Sequence, residues 1–267
     1  SAPLLFLYSS EVPSLLYYSH VPTAIVALLF GLFVFFKNKR SLAAQLLLTI
    51  TSLFFVLNLL NLLSWVNIDS RIVTVAWLAS QIVYFSLPVF LLYLHYVFIF
   101  KKDVGPLYKN AGALSVVILS LMVSFGLTMS YFDVISCELV ETSILQIYQN
   151  TIFALIFLGI FIGYIIRFRQ CKESKERRRI GIFTLGTVIF LVLLIFTWQI
   201  ASVFDNFEIE QYGLFGMVVF LVFLGYLIVR YKAFDVKVFG AQALVFAIVV
   251  LIGAQFFYVK SLTNLIL

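Results

Sequence analysis

Apolar stretches long enough to cross a bilayer follow one another along this chain, parted by short charged segments. A helix needs about 20 apolar residues to span the hydrocarbon core. Runs near that length occupy about 14–36, 42–66, 72–100, 111–131, 145–166, 180–203, 212–229 and 238–259. Lipid offers no partners for backbone N–H and C=O groups, so each run has to fold as a helix. Composition agrees: of 267 residues 63% are hydrophobic and 11% charged, with mean hydropathy +1.11, whereas a soluble domain carries about 25% charged residues. The expected fold is an all-α membrane protein. It has a seven-helix transmembrane bundle within 1–237 and an additional eighth C-terminal transmembrane helix within 238–267. Pro13 and Pro22 sit near the start of the first run, where a missing N–H costs little, and Pro88 marks an expected kink in the third.

The charges between the runs sort by side. One set of loops holds Lys37, Lys39, Arg40, Lys101, Lys102, Lys109, seven cations within 167–179, and Arg230, Lys232 and Lys237, which is 16 of the 18 cations. The other set holds Arg71 and Lys260, with eight of the twelve acids: Glu11, Asp69, Asp133, Glu138, Glu141, Asp205, Glu208 and Glu210. Cytoplasmic loops carry the Lys/Arg excess. The expected topology therefore has the N-terminus outside and the basic loops in the cytoplasm, in a multi-pass protein of the cell (inner) membrane. The net charge of +6 is a topology signal and implies no nucleic acid. The run 167–179 is expected to continue the fifth helix into solvent, with Glu173/Arg177 and Lys172/Glu176 at i,i+4. It either attracts anionic lipid head groups or docks a cytoplasmic partner. The chain begins at Ser1 and reaches Leu267 inside an apolar stretch, as expected of a fragment or a processed chain. No charged n-region precedes the first run, so no cleavable signal peptide is expected.

Residues that could carry chemistry are sparse. Cys137 and Cys171 fall on opposite sides of the membrane, and neither cysteine belongs to a zinc-binding pattern. His95 lies about one turn from the basic end of the third run, and a lone intramembrane histidine is most simply a packing residue. His20 lies near the start of the first run. The spans contain no acid, so a Ser-His-Asp triad and a proton pump both lack a required part. A retinal Schiff base needs a lysine in the seventh span, and there is none before Arg230. No phosphate-binding glycine pattern occurs. No cofactor, metal site or enzymatic activity is expected of this chain. Polar and aromatic residues do gather at the acidic ends of the spans. Asn58, Asn61 and Trp65 share one face of the second, Trp77, Gln81 and Tyr84 one face of the third, and Trp198 and Gln199 lie near the end of the sixth. They either line a cleft for a small external ligand or serve as interface aromatics and interhelical amides.

One short stretch, 226–237, separates the last two runs: Tyr-Leu-Ile-Val-Arg-Tyr-Lys-Ala-Phe-Asp-Val-Lys. It resembles the end of the N-terminal seven-helix sensor region of bacterial histidine kinases, which closes its seventh helix with an Arg-Tyr-basic-x-Phe-Asp-Ile/Val pattern. Arg230, Tyr231, Lys232, Phe234, Asp235 and Val236 match in place. The segment from Pro88 to Phe100 is similar to that family's Pro-x-x-x…Phe-Leu-His-Phe…Phe-Pro segment, with Tyr93 and Tyr96 in place of Phe and Lys101 in place of the last Pro. The resemblance implies a sensor domain of a two-component signal-transduction protein. As the short charged connection between the last two runs, Arg230–Lys237 is the expected output joint, with Arg230, Tyr231, Lys232, Phe234 and Asp235 as its candidate residues. Neither histidine precedes an acid and no ATP site is present, so kinase chemistry would lie elsewhere. The implied partners are the lipid bilayer and an unknown small external ligand. Homodimer formation stays open, and a small multi-pass transporter or channel is the alternative.

Overall fold

A computed structural model describes residues 14–67, 69–133, 138–204 and 208–235. The expected eighth helix, Cys137, Asp205, Val236, Lys237 and Lys260 lie outside the described residues. Those that are described form α1 (Ser14–Lys37), α2 (Leu42–Val66), α3 (Ser70–Phe100), α4 (Pro106–Ser124), α5 (Ser143–Gln170), α6 (Ser174–Phe204), α7 (Glu208–Gly213) and α8 (Phe215–Tyr231), with a short 3-10 turn at Ala233–Asp235. α7 and α8 together make one span, so seven helical segments are long and apolar enough to cross a membrane. The chain is accordingly a multi-pass membrane bundle.

Packing follows from which faces the sequence makes apolar and bulky. α2 packs against both α1 and α3, α6 against α7 and α8, and α8 closes back onto α1. α4 and α5 sit at the periphery. Leu114, Val117 and Leu121 on α4, and Leu155, Leu158 and Ile162 on α5, are exposed. Water would penalise these side chains by about 25 cal/mol per Å², whereas lipid tails accept them. The interior is built on rings: Phe30, Phe54, Phe85, Phe98, Phe183, Phe190 and Phe220 are almost fully buried.

The helix ends explain where sequence periodicity misleads. The fourth run was expected to reach residue 131, but α4 stops at Ser124. Gly126 adopts a left-handed φ of 68°, its N–H donates to the Val123 carbonyl at 3.1 Å, and the Leu127 N–H donates to Met122 at 2.9 Å. That pair of bonds closes a helix by the Schellman pattern. The chain then forms an antiparallel hairpin, β1 (Met129–Asp133) with β2 (Glu138–Glu141), in which Tyr131 pairs with Val140. Thr142 re-enters helix by capping α5 through the Leu145 N–H at 3.2 Å, an N-cap worth about 1 kcal/mol.

The basic run 167–179 is likewise not one continued helix. α5 ends at Gln170 and α6 begins at Ser174. The expected i,i+4 pairs do not form, because stronger partners compete. Arg177 Nε donates to the Cys171 carbonyl at 2.7 Å. Glu176 meets Lys101 at 2.9 Å and Arg167 at 3.4 Å, tying α6 to the loop after α3. α3 itself continues through Pro88. Cys171 is buried.

Close approach of α6 to α8 depends on Gly186, where an added Cβ would come within 2.8 Å of the Phe223 Cβ. Gly181, one and a half turns earlier on α6, has open space around it. Gly186→Ala is expected to lower stability by about 1–3 kcal/mol through overpacking. Gly181→Ala is expected to be neutral or to raise it by up to about 1 kcal/mol. Thermal unfolding of the two purified variants in detergent checks both.

Candidate functional site

The acidic end of the bundle gathers more buried polar groups than packing requires. His20 on α1 is buried, with Nδ1 2.9 Å from both the Leu16 carbonyl and Ser19 Oγ, while its Nε2 has no hydrogen-bond partner. It lines a narrow pocket with Asn61 and Trp65 of α2 and Glu210 and Gln211 of α7. Asn61 Nδ2 donates to Glu210 Oε1 at 3.4 Å. Gln211 is 2% exposed, yet neither of its amide atoms finds a partner. An unmade buried hydrogen bond costs about 1–3 kcal/mol, so the folded chain carries a penalty at this spot. The pocket is too tight to admit water in this conformation.

A second group lies across α3, α5 and α6. Gln149 Nε2 donates to Gln81 Oε1 at 2.9 Å. Tyr84 is buried between Phe153 and Trp198, each with its ring centre 5.8 Å away, and its hydroxyl donates to the Leu194 carbonyl at 3.5 Å. Gln199 Nε2 donates to Asn150 Oδ1 at 2.6 Å on the rim between α5 and α6. Glu141, at the end of β2, joins this group. Burial and then the nearby Glu210 carboxylate push its carboxyl up to about 8. The Gln81 and Gln146 amides lie against it and offset part of that penalty, though not in hydrogen-bonding geometry.

The residues singled out from sequence thus divide. Asn61 and Trp65 belong to the α1–α2–α7 pocket, and Gln81, Tyr84 and Trp198 to the α3–α5–α6 group. Gln199 sits on the rim. Trp77 is half-buried against the core. Asn58 is turned back onto its own helix, donating to the Phe54 carbonyl at 2.7 Å. Glu141, Glu210, Gln211 and His20 were not among them. The two acids read from sequence as loop charges on the acidic side, and nothing in the local pattern says that the hairpin folds Glu141 inward. Gln211 had a fainter signal, an amide just after Glu-x-Glu at the start of an apolar run.

At the basic end, α8 closes at Lys232, whose φ of 52° is left-handed and whose N–H donates to the Leu227 carbonyl. Phe234 is left-handed too, at 61°. Such residues cost about 1–3 kcal/mol each unless surrounding structure holds them. Here Asn38 Nδ2 donates to the Phe234 carbonyl at 3.1 Å, and the Phe234 ring lies 5.6 Å from Phe98. Tyr231 packs on the core, and Arg230 is exposed. The 230–235 joint is therefore folded against the end of the bundle. Asp235 closes the 3-10 turn. His95 is buried and stacked 5.6 Å from Phe183, without a polar partner. No cluster of His, Cys, Asp or Glu suited to a metal occurs among the described residues.

The Glu141 environment generates a pH prediction. The folded state holds this proton more tightly than the unfolded chain, so stability is highest below about 4.5, falls as pH rises towards about 8, and levels off above it. Glu141→Gln should flatten that slope and leave the variant more stable than the parent at alkaline pH; unfolding midpoints measured across this pH window check it. No known family model, curated protein or solved structure matches this chain.

Proposed function

We propose that this chain is the membrane-embedded sensor module of a signal-transduction protein, with the polar cluster as input site and 230–235 as output joint. The observation that carries the reading is the separation of these two ends by an interior dominated by buried aromatic rings. From Phe54 the rings run to Phe190 (6.2 Å), Phe220 (5.7 Å), Phe183 (6.2 Å), Phe98 (3.8 Å) and Phe234 (5.6 Å). A close-packed chain of rings transmits strain from one end to the other. Asn58 anchors its upper end and Phe234 belongs to the joint itself. The orphaned Gln211 amide and the tight pocket fit a resting state that a small external ligand, or a proton on Glu141, would relieve.

In this reading the cation-rich loops face the cytoplasm and the acidic end faces outward, in the inner membrane of a bacterium. An eighth span leads on from 238 towards the output. The resemblance of the 226–237 and 88–100 segments makes a histidine kinase the proposed host, and the module itself catalyses nothing. A small transporter or channel is the second reading, favoured by the two neighbouring carboxylates Glu141 and Glu210. It requires a polar route that the ring chain does not offer.

Sidedness is tested with single cysteines in a chain freed of its own. Ser130→Cys in the hairpin should react with an impermeant maleimide on intact cells, and Lys172→Cys only after lysis; the reverse pattern contradicts the topology. Coupling is tested with an environment-sensitive dye on Lys232→Cys in proteoliposomes. Glu141→Gln, which holds that side chain neutral, should shift the emission at alkaline pH relative to the parent. Identical spectra would remove the connection between the two ends.

A further inference from the structure

The basic end forms an open-mouthed cavity of about 470 Å³, within the range of small-molecule sites. Lys101 and Lys102 from the end of α3, Arg179 from α6 and Lys232 from the end of α8 all line it. Four cations from three separate elements thus converge on one space. The wall also includes Leu42 and Ala43, the first residues of α2. Ser41 makes no side-chain cap there, so the first-turn N–H groups of a 25-residue helix border the cavity with their positive dipole end.

The negative side is nearly silent. Asp103 is the acid on the wall, and both its oxygens are already engaged: Oδ1 by the Tyr93 hydroxyl at 2.6 Å and the Val104 N–H at 2.8 Å, Oδ2 by Lys109 at 2.5 Å. Glu176 pairs with Lys101 at 2.9 Å and also feels the Arg179 charge. Lys102 and Lys232 make no ion pair among the described residues. Arg179 is held over the Phe98 ring, 4.7 Å from its centre. Backbone strain concentrates here as well. Lys101, Lys232 and Phe234 are the non-glycine residues with left-handed φ among the described residues, and each lines this cavity.

Positive-inside loops are normally spread through solvent, where their charges are screened. Here the charge converges on one concave, half-open space beside an uncapped helix start, and these are the elements that recognise phosphate. We infer that the cavity between the α2 start, the α3 and α8 ends and the α6 start binds a phosphate-bearing anion, either a lipid head group or a soluble phosphate compound. Because Lys232 and Phe234 form part of its wall, the bound anion would touch the 230–235 joint. The binding itself stands apart from the sensor reading and can fail or succeed without it.

The test uses the purified chain with two probes: inorganic pyrophosphate added in neutral detergent, and nanodiscs of phosphatidylcholine with and without phosphatidylglycerol. Each is read as a saturable rise in unfolding midpoint. Stabilisation by the first probe assigns a soluble source, and by the second a lipid source. The double variant Lys102→Gln/Lys232→Gln should weaken the response about tenfold or more, the effect of losing charge-assisted hydrogen bonds. Ala43→Glu should abolish it by placing a carboxylate in the cavity. An acid in a first helical turn is tolerated, so the midpoint of this variant without anion should stay near that of the parent. Lys172→Gln/Lys175→Gln, an equal charge loss at exposed positions outside the cavity, should leave the response unchanged. No saturable stabilisation by either probe, or an equal weakening by Lys172→Gln/Lys175→Gln, would overturn the assignment.

Discussion

The stacked pair Phe98–Phe183, with ring centres 3.8 Å apart, is the hub at which the aromatic contacts of the described interior meet. It joins α3 to α6, the two longest helices. Each ring then reaches further: Phe183 to His95 and Phe220, Phe98 to Phe234 and to the Arg179 guanidinium. Helix association in lipid gains nothing from burying apolar surface, since the tails are equally apolar; it has to come from packing and interhelical hydrogen bonds. Offset aromatic pairs add about 0.5–1.5 kcal/mol each beyond the area they cover. A chain rich in phenylalanine, 30 residues in all, can build a bundle that way with few polar ties through its middle.

That solution pushes polar chemistry to the two ends, and the ends differ. At the acidic end the amides and carboxylates are buried and only partly satisfied, as with Gln211 and Glu141. At the basic end the cations gather around a cavity. A penalty kept in the folded state is expected where a ligand or proton later removes it, because differential affinity for two states is the only means of shifting them.

Much of the architecture was legible from sequence, because about 20 consecutive apolar residues admit few alternatives in lipid. Each of the seven described spans covers most of one apolar run, though the ends differ, most of all in the fourth. The errors have local causes. The fourth run overshot because Phe125, Leu127 and Tyr131 are as apolar as the helix before them, and Gly126 was the stop signal. The run 167–179 looked like one solvated helix because charge content does not reveal the break at 171–173. The polar cluster was half legible: Asn61, Gln81, Tyr84 and Trp198 stand out as polar or aromatic residues inside apolar spans. Glu141 and Glu210 do not, since a loop acid and a buried acid look alike until the hairpin is folded. The basic cavity was invisible for the same reason. Its cations come from three positions far apart in the chain, and each alone reads as a topology signal.

On the proposed reading the interior is a closed packing relay and not a conduit. Gradient-driven flux of protons and sodium ions into proteoliposomes containing the purified chain separates the two. Uptake is expected to be no faster than in protein-free vesicles, in the parent and in Glu141→Gln alike. Sustained uptake by the parent that Glu141→Gln removes would contradict it and place the chain among transporters or channels.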